Sequence, residues 1–102
     1  MAETFEISLG PKEHYSDQQH NPRDFYQEVL IDFSNPPYMG EGASLGWLAA
    51  IHATHGADID HWALIGEDGD ALPGVRLTYE TKAQALSAAS AYVSDFTGLS
   101  PA

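Results

Sequence analysis

The sequence predicts a small single α+β domain over residues 1–102: an antiparallel sheet of about four strands with two helices, in the order ββαββα. Three observations predict it. Residues 4–9, TFEISL, alternate apolar and polar side chains as a half-buried strand does. Thr81-Lys82-Ala83-Gln84 fits a capping box, and Leu86, Ala89, Val93 and Phe96 recur at helical spacing behind it. Between these ends, HWALIGE and VRLTYE flank the turn-rich connection DGDALPG, the pattern of a hairpin with a longer loop. At 102 residues and 43% hydrophobic composition the chain can bury one modest core.

The first strand places Phe5, Ile7 and Leu9 on one face and ends at Gly10-Pro11. Residues 12–23 are polar and rich in turn formers, which predicts a long surface loop carrying His14 and His20. Residues 25–34 predict a strand with Phe25, Val29, Ile31 and Phe33 on one face and Tyr26, Glu28, Leu30 and Asp32 on the other. The alternative is a helix over residues 22–33, giving βααββα, with Asn21 as N-cap, Pro22 at N1 and an acidic face of Asp24, Glu28 and Asp32. The run VLIDF, rich in strand formers, favours the strand.

Asn35-Pro36-Pro37-Tyr38 is a linker, because proline lacks a donor and biases its predecessor away from helix. A helix is predicted from Ser44 to His55, with Ser44 as N-cap, Gly56 at C′ and a buried stripe of Trp47, Leu48 and Ile51. His61 to Glu67 and Val75 to Glu80 are the hairpin strands, with Val75, Leu77 and Tyr79 on one face. The final helix runs from Lys82 to about Thr97, with Gly98 at C′ and Pro101 beyond it. Ala85, Ala88, Ala89 and Ala91 let it lie close to a sheet.

Charge is the strongest global signal. Fifteen acidic residues against four basic ones give a net charge of −11 and a pI near 4.4. That field repels phosphate backbones and anionic membranes, so neither direct nucleic-acid binding nor membrane association is expected; it attracts a basic partner. The absence of cysteine excludes disulfides, thiolate zinc sites and cysteine nucleophiles, and fits a cytoplasmic protein. The stretch MAETFEISLG has no leader character, and no apolar run reaches bilayer length.

Residues 42–62, GASLGWLAAIHATHGADIDHW, gather candidate chemistry. The G-x-S-x-G pattern around Ser44 lacks the strand that must run directly into a nucleophile elbow, so Ser44 reads as a cap and no catalytic residue is expected. On a helix His52 and His55 would share a face, and with Asp58, Asp60 or His61 they could ligate zinc or another transition metal. No HExxH glutamate accompanies them, so the expectation is no metal and no cofactor, with those five residues as the ligand set otherwise. Asp68 and Asp70 do not fit an EF-hand loop, and Gly40, Gly42 and Gly46 fit no phosphate-binding fingerprint.

The function expected is a non-enzymatic acidic protein-binding domain. It would be a stoichiometric inhibitor or adaptor, monomeric or a small homo-oligomer, docking on a basic partner surface such as one that binds nucleic acid. Glu28, Asp32, Glu67, Asp68 and Asp70 would supply charge, and Tyr15, Tyr26 and Tyr38 contact area with a polar end. The alternative is a small metal-dependent enzyme or metal-binding protein built on His52, His55 and His61. In composition the chain is similar to phage- and plasmid-encoded inhibitors such as anti-restriction DNA mimics and anti-CRISPR proteins; no motif is shared.

Overall fold

A computed structural model describes residues 4–15, 21–34, 43–53 and 56–101. Its elements are β1 (Thr4–Leu9), β2 (Glu13–His14), β3 (Phe25–Phe33), β4 (Ala43–His52), β5 (Ile59–Gly66), β6 (Thr78–Tyr79), α1 (Lys82–Thr97) and β7 (Ser100–Pro101). The strands form one sheet in the order β6-β5-β4-β3-β1-β7, with β2 also beside β3. The β1–β7 pairing is parallel and the others antiparallel. The sheet curls into a half-barrel, and α1 covers part of its inner face. The expected ββαββα order is therefore wrong, and so is its βααββα alternative: among the described residues there is one helix, and the sheet dominates.

The error lies at residues 44–55. The predicted helix is the central strand β4, paired along its length with β3 and β5. Leu48 and Ala50 face inward opposite Gln27 and Phe25, while Trp47, Ala49 and Ile51 face outward. Both sets are apolar, and adjacent Ala49 and Ala50 are both fully buried. A strand buried on both faces shows no period of two, so its pattern cannot be told from that of a helix. Ser44 accordingly caps nothing and pairs with Leu30, and Gly56 ends no helix.

The inner face carries the core: Phe5, Val29, Ile31, Leu48, Trp62 and Leu64 against Ala85, Ala89 and Val93 of α1. The strand expected at 25–34 forms as Phe25–Phe33. The loop expected at 12–23 is interrupted by β2, which continues the line of β1 along β3 after a break at Gly10 to Lys12. Gln27 spans that break, its Nε2 donating to the Gly10 carbonyl at 2.9 Å. The hairpin strand expected from Val75 shrinks to Thr78–Tyr79, because Pro73-Gly74 turns the chain with Gly74 at φ 72°. Leu77 is exposed, yet its carbonyl still accepts from Leu64 N at 2.8 Å. No helix among the described residues is long and apolar enough to cross a membrane.

The helix α1 forms as its local signals require. The Thr81 hydroxyl accepts from Gln84 N at 3.1 Å, and Gln84 Oε1 accepts from Thr81 N at 3.3 Å. Gly98 closes the other end at φ 75°, donating to Ser94 O. Replacing the Thr81 hydroxyl leaves a first-turn donor without its partner, so Thr81→Ala is expected to cost about 1 kcal/mol. A thermal melt should show this as a fall of about 4–8 °C. An unchanged melt would show that the box contributes nothing.

Candidate functional surface

Strand direction brings four of the acidic residues to one end of the sheet. Both β3 and β5 run antiparallel to β4, so the end of the sheet where β3 carries Asp32 is also the end where β5 hands over to Glu67, Asp68 and Asp70. Glu6 joins them, because it stands directly opposite Asp32 in the β1–β3 register. Like charges facing each other across two strands destabilise a sheet, and here Ser8 eases the pair, its Oγ donating to Asp32 Oδ2 at 3.0 Å. The β5–β6 turn is fixed by Gly66 N to Asp70 O at 2.7 Å and by Asp70 N to Asp68 Oδ1 at 3.1 Å. Glu67, Asp68 and Asp70 are all exposed on it.

Glu28 and Tyr26 share the outer face of β3 with Asp32, as the strand period requires. Glu28 lies opposite Trp47, and Tyr26 packs its ring 5.1 Å from that of Tyr15. Tyr38 lies outside the described residues.

The four basic side chains do not neutralise this surface. Lys12 Nζ sits 4.6 Å from the centre of the Phe25 ring, Lys82 Nζ 5.8 Å from that of Trp62, and the Arg76 guanidinium 4.8 Å from that of Tyr79. Arg23 reaches the Gly56 carbonyl at 3.4 Å. Among the described residues the ion pairs are His52–Asp24 and His61–Asp60, so no lysine or arginine pairs with a carboxylate. Three of the four, Lys12, Arg23 and Lys82, also belong to the opposite end of the sheet, beside Phe25, Gly56 and Trp62.

That opposite end holds His14, His52 and His61. Asp24 is only 3% exposed, and its Oδ1 accepts from His52 N at 2.6 Å and lies 3.0 Å from His52 Nδ1. Its carbonyl lies 3.1 Å from His14 Nδ1. Asn21 Nδ2 bridges the carbonyls of Ala53 and Gly56 at 3.0 and 3.1 Å. The helical face proposed for His52 and His55 does not exist, since His52 ends a strand, and His55 lies outside the described residues.

His52 contacts Phe25 on the inner side, whereas His61 alternates with inward-facing Trp62 and pairs through Nδ1 with Asp60 at 2.8 Å. Asp58 is exposed, its carbonyl accepting from Ala53 N. The fold thus separates His52 from His61, and among the described residues no three acidic or histidine side chains are grouped to hold a metal ion.

Sequence reasoning missed the Asp24–His52 pair, whose members are 28 residues apart and carry no spacing signal. It also missed Glu6, which only the strand register brings to Asp32. No family model matches the sequence, and no curated protein or solved structure matches the chain.

Proposed function

We propose that the protein works by stoichiometric binding, as an inhibitor or adaptor whose acidic sheet end docks on a basic surface of a partner protein in the cytoplasm. One observation carries this reading: among the described residues every lysine and arginine is turned to a ring or a carbonyl, leaving the carboxylates of Glu6, Asp32, Glu67, Asp68 and Asp70 without a cationic partner. Uncompensated charge on fixed strands and a tight turn projects a field that steers a basic partner and sets its orientation. Surfaces that grip nucleic-acid phosphates are arrays of lysine and arginine, and carboxylates held by a folded domain are complementary to them.

The test is capture of partner protein on the immobilised domain, with identification by mass spectrometry. A specific, basic partner should be retained at about 0.05 M salt and lost at about 0.5 M, where screening reaches only a few ångströms. The combined Asp32→Lys, Asp68→Lys, Asp70→Lys variant should fail to retain it at either concentration. Retention that ignores both salt and charge reversal would refute electrostatic docking.

A further inference from the structure

The face of α1 bearing Ala88, Tyr92, Asp95 and Phe96 forms one wall of a groove of about 750 Å³; residues 73–76 and Tyr79 form the other. Phe96 is 80% exposed, although a large apolar side chain on a helix is ordinarily buried. Its ring stacks on that of Tyr92, with centroids 6.2 Å apart and planes 10° from parallel. Among the described residues Asp95 has no ion pair, even though Arg76 lines the same groove. Arg76 is committed elsewhere, its Nε donating to Thr78 O at 2.7 Å and its guanidinium lying over Tyr79.

We infer that this groove is a receptor for an arginine side chain of the basic partner, with the guanidinium lying on the Tyr92–Phe96 ring pair and paired with the Asp95 carboxylate. Lys12, Lys82 and Arg76 each sit over an aromatic ring of this chain, whereas the Tyr92–Phe96 stack carries no cation. It stands beside a carboxylate in a molecule of net charge −11, so the global field selects a cation and Asp95 supplies its partner. A planar guanidinium can stack on the rings and fork to a carboxylate at once, which a lysine ammonium cannot. An anion drawn to Arg76 would have to enter against Asp95 and against the whole molecule's charge. This inference rests on the reading of the domain as a binder of basic surfaces.

Titration calorimetry of the full chain with hexa-arginine and with hexa-lysine, at about 0.15 M salt, separates the two readings. Hexa-arginine is expected to bind about three- to ten-fold tighter, the preference a stacked and paired guanidinium provides. Phe96→Ala should remove that preference and leave hexa-lysine affinity and the thermal melt unchanged, because Phe96 is exposed. Equal affinities for the two peptides, or a preference that survives Phe96→Ala, would overturn the groove assignment alone. Failure of both peptides to bind would overturn the electrostatic reading with it.

Discussion

Gly46→Ala is expected to leave no cooperatively folded protein. Gly46 sits in β4 at φ 143°, where the register against β3 slips and Val29 pairs with Gly46 but Leu30 with Ser44. Leu45 is the extra residue of this bulge. A methyl group at Gly46 would lie 2.0 Å from the Ile65 carbonyl oxygen, 2.9 Å from Gly66 Cα and 3.0 Å from Ile65 C. All three atoms are backbone of β5 and cannot retreat without breaking the β4–β5 pairing at the centre of the sheet.

The left-handed backbone adds its own strain, and together the two effects exceed about 4 kcal/mol, a large share of the about 5–15 kcal/mol that holds a domain of this size together. Gly69→Ala and Gly74→Ala are the controls. Both positions have positive φ but nothing within 4 Å of the added carbon, so each should cost only about 1 kcal/mol. Near-ultraviolet circular dichroism and thermal melting read the difference. A Gly46→Ala protein that melts like the two controls would contradict the close approach of β4 and β5.

Asp24→Ala is expected to produce the next largest loss. Asp24 precedes β3, and its carboxylate reaches across to the last residue of β4, beyond the terminal Phe25–Ala50 pair, to hold the His52 amide and ring. Alanine would leave two donors without partners in a site where Asp24 is buried and the His52 side chain nearly so. The expected cost is about 2–4 kcal/mol, read from the denaturant midpoint. Asp24→Asn keeps an acceptor for the His52 amide and should cost less than half as much. Hydrogen exchange localises the effect: the His52 amide should exchange faster in Asp24→Ala, while amides of α1 keep their relative order. Equal stability of Asp24→Ala and the parent protein would show that the pair does not secure this end of the sheet.

How much of this the chain disclosed follows from the range of each signal. The capping box and Gly98 act within a few residues, so α1 was legible to its ends. The strands β1 and β3 were legible because Glu6, Glu28 and Asp32 alternate with buried Phe5, Val29 and Ile31. On β4 both faces are apolar, and the alternation that marks a strand disappears. Tyr26, Glu28 and Asp32 could be placed together from the period of β3, but the approach of Glu6 and the β5–β6 turn depends on pairing between distant strands. Phe96 shows the limit of helical spacing. It lies in angular line with Ala85 and Ala89, yet spacing reports angle and not height, and in the last turn of α1 the ring is left uncovered.

The pairing of β7 with β1 also sets an order of assembly. The chain links β3, β4 and β5 as successive antiparallel neighbours, so this meander can form from contacts close along the chain. Thr4 and Ser100 are neighbours only across nearly its whole length, and their two-residue parallel bridge makes few bonds for the largest loop in the molecule. Closing so long a loop is slow when little is gained until α1 has already docked. Separation along the chain thus favours the meander and helix as the early unit of folding, with the bridge between the first and last strands as its expected final seam.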